Sequence, residues 1–318
     1  MIYRLIYTVV LLMSHIPFPA SQFLGKMLGL AASFVPMSRA NVALDNILKS
    51  FDGTMKRDNA RRLLRRVYMH FGQMFFEVAH ILRLSHGNLN DYVVFEGEEN
   101  LHHALVEGRG GFILTAHFGN WELTSAAMSL HFGSGAVIVR PMDFAPMDQL
   151  MNMLRSRFGT ESISKQRAMR SVLVTLKEKK VVGVMLDQNI DWYDGVFVKF
   201  LGRWACTNKG LALMALKTGS PVLPVFPVRQ GDGRYRIIIG DEIRLIRTGD
   251  KIRDVEENTA LFTSMIEKYI LAYPDHWFWF HKRWKTRNYC PLPEGYFELA
   301  VSGTAEPQNV QFRMTNGK

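Results

Sequence analysis

His117-Phe118-Gly119-Asn120-Trp121-Glu122 places an imidazole and a carboxylate five positions apart. An apolar run, Gly111 to Ala116, precedes the histidine and reads as a buried strand. Leu123 to Leu130 follows the glutamate and reads as a helix. At such a strand-to-helix turn the two side chains can meet. The carboxylate would then hold the ring in one tautomer while the other ring nitrogen takes a proton from a substrate hydroxyl. A base of this kind, with no protein nucleophile, suits direct transfer of an acyl group to an alcohol. Histidine fits the role because its ordinary charge change falls close to neutral pH. Glu122 also sits where a helix's first turn favours a negative charge.

Other residues could join this pair. Gly119 allows a tight connection, and Asn120 could either donate to a developing oxyanion or cap the following helix. Arg140 closes the apolar run Val137-Ile138-Val139 and precedes Pro141. It suits a phosphate or carboxylate oxygen, with an ion pair to Asp187 or Asp143 as the structural alternative. Asp187 closes Val184-Met185-Leu186 and is followed by Gln188 and Asn189. Its expected role is to order the site through Arg140. Lys199-Phe200-Leu201-Gly202-Arg203 reads as a substrate-facing loop, and Thr207-Asn208-Lys209-Gly210 as a helix start that favours anions. Arg203 and Lys209 are therefore phosphate candidates, or merely solvated charges. Between Trp277 and Arg287 five aromatics interleave with basic residues. Such a segment could bind single-stranded nucleic acid, sit at a membrane interface, or pack internally; the apolar N-terminus favours the membrane. The sequence holds no Gly-x-Ser-x-Gly elbow, no Walker loop and no His-Glu-x-x-His.

The elements that must position these residues follow from the hydrophobic pattern. Strands are expected at Phe112–His117, Ala136–Arg140, Val181–Asp187, Val222–Val228 and Tyr235–Ile239. Helices are expected at Glu122–His131, Ala145–Phe158, Gln166–Lys179, Lys209–Thr218 and Glu256–Ala272. Gln230-Gly231-Asp232-Gly233 reads as a hairpin turn. The alternation implies an α/β fold: a mostly parallel central sheet flanked by helices, with late antiparallel additions. His117, Arg140 and Asp187 each close a strand run, the end of a parallel sheet that faces a ligand crevice. The expected organisation is a helical segment over 1–36, one α/β domain over 37–300 and a frayed tail over 301–318.

The 318 residues are 47% hydrophobic, and Lys and Arg outnumber Asp and Glu by 39 to 29. A net charge of +10 favours a polyanionic partner without choosing among nucleic acid, anionic membrane and acidic protein. Two cysteines, Cys206 and Cys290, make neither a metal cluster nor a disulfide framework and read as reduced thiols in a cytosol-facing protein. The first 36 residues hold two apolar pieces around Pro17 and Pro19, neither of them a clean run of about 20 apolar residues. Phe18 stands where a small residue is expected before a signal-peptide cut after Ala20. A retained membrane element is the expectation, either one tilted helix or a helix–Pro–helix piece in the interface; packing on the protein's own core is the alternative. Residues 56–84 form an amphipathic helix with Arg57, Arg61, Arg62, Arg65 and Arg66 in its first half, suited to anionic headgroups or simply solvated.

His117 and Glu122 match the histidine-x4-acid signature of glycerolipid-type acyltransferases. The chain from about Tyr3 to Tyr289 resembles the bacterial lipid A biosynthesis (lauroyl/myristoyl) acyltransferase family. Further matching pieces are Val139-Arg140-Pro141, the strand ending in Asp187-Gln188, Phe200-Leu201-Gly202-Arg203, Pro221-Val222-Leu223-Pro224 and Trp277 to Lys285. The family often shows Asp where this chain has Glu122. The resemblance implies a glycerolipid acyltransferase-like fold and a membrane-associated O-acyltransferase with His117 as base and Glu122 as its orienting acid. It implies acyl-acyl carrier protein as donor, with coenzyme A thioesters left open, and a lipid A precursor hydroxyl as acceptor. No metal or redox cofactor is expected, anionic membrane lipids are expected as partners, and nucleic acid is not. The implied place is the cytoplasmic face of the cell inner membrane. The alternatives are an acyltransferase for another glycolipid or a lysophospholipid, and a non-catalytic basic protein that binds membrane or nucleic acid.

Overall fold

A computed structural model describes residues 1–51, 54–166 and 168–287. Cys290 and the expected tail lie outside the described residues. Four helices open the chain: α1 (Ile2–Ser14), α2 (Phe18–Ala32), α3 (Ser38–Ser50) and α4 (Arg57–Glu77). Pro17 and Pro19 stop α1 and start α2, because proline cannot continue a helix but suits its first turn. The two axes differ by 118°, and among the described residues no single helix is long and apolar enough to cross a membrane. The helix–Pro–helix form is thus the observed one. Its two halves leave Ile2, Leu5, Val9, Leu12, Phe23, Leu24, Met27 and Leu28 on the surface. In α4 the apolar residues Leu63, Leu64, Val67 and Met74 are buried, whereas all five arginines are exposed. Gly25 and Gly29 of α2 press on α4, and a Cβ at Gly29 would stand 2.2 Å from the Tyr68 carbonyl oxygen.

The body follows as β1 (Val93–Glu96), α5 (Glu98–Leu105), β2 (Gly111–Thr115), α6 (Trp121–Phe132), β3 (Ala136–Val139), α7 (Ala145–Ser156), β4 (Glu161–Ser164), α8 (Ala168–Lys177), β5 (Val181–Met185), β6 (Gly195–Phe200), β7 (Arg203–Asn208), α9 (Gly210–Thr218), β8 (Val222–Arg229), β9 (Tyr235–Ile239) and α10 (Lys251–Ala272). Seven strands make one sheet in the order β1-β9-β8-β2-β5-β3-β4. Every neighbouring pair is parallel except β8–β9, which the Gln230–Gly233 turn joins as an antiparallel hairpin. The chain runs from β2 to β3 and β4 on one side, returns to insert β5, then crosses to β8 on the other side. The order therefore reverses around β2 and β5, where an open α/β sheet forms its crevice.

Three expectations need correction. Lys199 to Arg203 is not a substrate-facing loop: Phe200 to Arg203 is the turn of the β6–β7 hairpin, Phe200 and Leu201 are buried, and Leu201 N–H donates to Glu267 Oε1 at 2.7 Å. Trp277 to Lys285 is not an interface belt. Trp277 and Trp279 are fully buried, and Arg283, also fully buried, donates to the carbonyls of Gln188 and Cys206 and to Thr207. An aromatic-basic run reads the same in sequence whether its rings face lipid or the core. The expected helix over 56–84 ends at Glu77 and passes into a 3-10 turn over Val78–Leu82.

Candidate active site

His117 leaves the carboxyl end of β2 and Asp187 the carboxyl end of β5. Thr115 pairs with Met185, so each functional residue stands two positions beyond a paired one and the two must be neighbours. The Asp187 carboxylate is fully buried. Its Oδ1 accepts from His117 Nδ1 at 2.9 Å, and its Oδ2 accepts the His117 backbone N–H at 3.0 Å and Trp277 Nε1–H at 2.8 Å. Burial pushes this carboxyl up, but attraction to His117 and His281 and the bonds from His117 and Trp277 outweigh it. The net position is far below the usual carboxylate range, so Asp187 is ionised. An ionised Asp187 fixes the proton on Nδ1 and leaves the lone pair on Nε2. Gln188 Nε2 lies 3.1 Å from that nitrogen, and with the lone pair there the amide must present its N–H.

Glu122 was expected to orient the imidazole, and it does not. Its carboxylate lies in the first turn of α6 and accepts from Arg155 Nε at 2.8 Å and Nη2 at 2.5 Å, and from Trp121 Nε1 at 3.1 Å. Both sides of this pair are largely buried, with 14% and 7% of side-chain area exposed. Burial works against the Arg155 charge, but its bonds to Glu122 hold the guanidinium above its usual range. Arg155 stands at the end of α7, so Glu122 ties that helix to the turn. The orienting acid is the one 70 positions away, on the adjacent strand.

The turn is locked by its own neighbours. Gly119 has φ 57°, and a Cβ there would meet the Pro227 carbonyl oxygen at 2.3 Å. The Trp277 segment runs antiparallel beside the turn: Phe278 N–H donates to the His117 carbonyl, and Gly119 N–H to the His276 carbonyl, each at 2.9 Å. Asn120 takes the capping role: its Oδ1 accepts Leu123 N–H at 3.0 Å, and its amide donates to buried Glu77 at 3.2 Å. Glu77 also pairs with Arg229 and accepts from Tyr235 and from Gln22 of α2. This buried network fastens the N-terminal helices to the floor of the turn.

Arg140 is exposed beyond β3 and pairs with Asp143 at 2.6 Å, not with Asp187. The expected ordering of the site through Arg140 therefore does not occur. Arg203 stacks its guanidinium 4.0 Å from the Trp284 ring, and Lys209 donates to the Tyr193 carbonyl at 3.0 Å. Neither lines the cavity, although Asn208 and Gly210, at the start of α9, do. That cavity holds about 1370 Å³ in front of His117. Its walls are mostly apolar: α1 gives Leu5, Val9 and Met13, and α7 gives Met147, Met151 and Leu154. Arg140, Lys165 and Arg155 supply the cations.

Sequence reasoning missed Arg155, and it named Trp277 and His281 only as parts of the aromatic-basic segment, with no place at His117. The His281 ring lies 4.8 Å from that of His117, and burial and nearby cations hold its pKa down at about 4, against the pull of Asp187. His117, Asp187 and His281 bring one donor atom each within 4.8 Å of one another, a set that could hold a metal ion. The Asp187 oxygens already accept from His117 and Trp277, whereas His281 Nε2 has no hydrogen-bond partner among the described residues.

An imidazole nitrogen beside a largely apolar cavity of this size suits an enzyme for long-chain substrates, and related sequences give the class: an acyltransferase. The sequence profile described as "Bacterial lipid A biosynthesis acyltransferase" matches residues 1–286, and the chain belongs to that family. It is 25% identical over 275 residues to "Lipid A biosynthesis palmitoleoyltransferase" of Escherichia coli (strain K12), covering 86% of this chain and 87% of that one. It is 25% identical over 286 residues to "Lipid A biosynthesis lauroyltransferase" of the same organism, covering 89% and 90%. "Phosphatidylinositol mannoside acyltransferase" of Mycolicibacterium smegmatis is 21% identical over 226 residues, covering 70% and 72%.

Proposed function

We propose that this enzyme moves a fatty acyl chain from acyl-acyl carrier protein to the hydroxyl of a 3-hydroxyacyl chain on a lipid A precursor, at the cytoplasmic face of the inner membrane. The observation that carries the reading is the His117 Nδ1–Asp187 bond, with Nε2 left as an acceptor toward the cavity. The acceptor hydroxyl gives its proton to Nε2 as its oxygen attacks the thioester carbonyl. The tetrahedral intermediate then expels a thiolate, which takes that proton back from the imidazolium. One C–S bond breaks, one C–O bond forms, and the products are an ester and a thiol. The balance needs no metal or redox cofactor and passes through no acyl-enzyme.

Gln188 guards the base at rest and is displaced by the incoming hydroxyl. Its freed amide is then a donor available to the developing oxyanion. The backbone N–H groups of His117, Phe118 and Gly119 are already committed to Asp187, Ala116 and His276. Arg140 and Lys165 on the cavity wall suit acceptor phosphates. The exposed apolar faces of α1 and α2 beside the arginines of α4 suit an anionic membrane surface, and the net charge of +10 suits an acidic carrier protein. Burial of Trp277 and Trp279 takes those two rings of the segment out of any stacking role. The mycobacterial relatives favour one second reading, the same chemistry on another glycolipid.

The test is a purified, detergent-solubilised enzyme with lauroyl-acyl carrier protein and a tetra-acylated disaccharide bisphosphate, followed by mass spectrometry. An added lauroyl ester that disappears in His117→Ala supports the reading. Thioester consumption with no ester formed, or full transfer by folded His117→Ala, refutes it.

A further inference from the structure

A second apolar recess lies next to the same site. It holds about 530 Å³ between α2, α4 and the Trp277 segment, lined by Ala32, Tyr68, Gly72, Phe278 and Phe280. His281 forms part of its wall, with its ring 4.8 Å from that of His117, and Phe71 lines this recess and the large cavity alike. The two spaces therefore share the Phe71 wall, and the recess comes within one ring, that of His281, of the base. Met37 and Arg39 stand at the rim, and Leu28, 51% exposed, joins it to the bare apolar face of α2.

The proposed chemistry requires two such spaces. A hydroxyl on the third carbon of an acyl chain lies inside an alkyl chain, so its esterification brings two long alkyl limbs to one oxygen. Both must leave the base through apolar surroundings, because each methylene left in water is disfavoured. We infer that the recess between α2, α4 and the Trp277 segment receives the distal limb of the acceptor's hydroxyacyl chain, while the donor chain lies in the large cavity. The assignment of limbs follows from the mouth. The recess opens on the apolar face of α2, where a membrane lipid can enter sideways without crossing water, and Arg39 stands beside it for a lipid phosphate. His281 at the inner end is neutral at physiological pH and places no charge against a chain. This inference rests on the acceptor proposed above.

Two experiments test it. Full-length His117→Ala is incubated in detergent with a glucosamine 1-phosphate N-acylated by a 3-hydroxytetradecanoyl chain bearing a terminal diazirine, then irradiated and digested. Label is expected on peptides containing Leu28–Ala32, Tyr68–Gly72 or Phe278–Phe280. Label on Met147, Met151 or Met169 instead, or none that excess unlabelled acceptor competes away, overturns the assignment. In active enzyme, Ala32→Phe inside the recess and the milder Met37→Trp at its rim should each raise KM for the acceptor about tenfold relative to that for the thioester. A rise for the thioester alone, or for neither substrate, also overturns it. Failure of the acceptor reading looks different, because wild-type enzyme would then form no ester on any hydroxyacylated disaccharide.

Discussion

Asp187→Asn separates orientation of the base from every other function of the site. Asp187 faces three donors, with Nδ1–H on one oxygen and two N–H groups on the other. Asparagine fits the same space but keeps one acceptor. If its carbonyl stays on Nδ1–H, its NH2 faces the His117 and Trp277 N–H groups, leaving two buried donors unpaired at about 1–3 kcal/mol each. If the amide turns round, both N–H groups keep an acceptor, and the NH2 faces Nδ1, which becomes the acceptor once the ring proton moves to Nε2. The second arrangement is cheaper by one unpaired pair of donors, and it is the one in which Nε2 can no longer take a proton. The variant should therefore fold, lose about 1–3 kcal/mol through neutral bonds replacing charged ones, and lose roughly 10⁴ in kcat with little change in KM. Steady-state transfer assays with both substrates varied, alongside thermal unfolding, measure both quantities. A folded Asp187→Asn enzyme retaining more than about a tenth of wild-type kcat would refute the tautomer argument.

Glu122→Gln and Arg155→Gln should lower activity by similar factors, and the double variant should fall no further, because Glu122 acts through Arg155; additive losses would show a separate role for Glu122. Glu122→Ala strands a buried cation and should cost about 3–5 kcal/mol, so loss of activity in that variant must be read against a melting curve. Gln188→Ala should reduce kcat about 10²-fold with KM retained, and an unchanged kcat would remove its amide from the mechanism. His281 is held near pKa 4, below its unfolded value of about 6.5, so the unfolded chain binds the extra proton between those values and stability falls as pH drops from about 6.5 to 4, by up to about 3 kcal/mol. His281→Gln should flatten that slope in denaturation at stepped pH, and an unaltered slope would locate the effect elsewhere. Phe23→Glu with Met27→Glu should release protein from vesicles of anionic lipid in a sedimentation assay; these exposed positions are a cleaner test than deleting residues 1–36, since α2 packs on α4 and α1 walls the cavity.

Strand ends show what the sequence could reveal. Tyr235–Ile239 forms where the alternation places it, and the expected runs ending at His117, Arg140 and Asp187 each overshoot the observed strand by one or two residues. Those surplus residues are the ones that turn out of the ladder toward the crevice, so the overshoot marks the site. β1 and β4 escape because four residues such as Glu161-Ser162-Ile163-Ser164 carry too little alternation to register. The β6–β7 hairpin escapes because its turn, with Leu201 at φ 48° and Gly202 at φ 76°, has the same sequence signature as a substrate-facing loop. The acid that holds His117 was visible as a strand-end residue, but its partner was not. Spacing along a chain reports contacts within one turn, whereas β2–β5 pairing is fixed by sheet order, which no local pattern encodes.

The two acids then divide the work in a way the histidine-x4-acid spacing conceals. Asp187 binds the base to the sheet, through the parallel β2–β5 pair and the fully buried Trp277. Glu122 binds α7 to the same turn through Arg155, and α7 presents Met147, Met151 and Leu154 to the cavity. Methionine walls reshape at low cost. Substitutions on the free face of α7 can therefore alter the space offered to an acyl chain while Arg155 keeps the helix anchored and Asp187 keeps the ring still. A site divided in this way can change which chain it accepts without disturbing the proton transfer, provided the Glu122–Arg155 clasp survives each change.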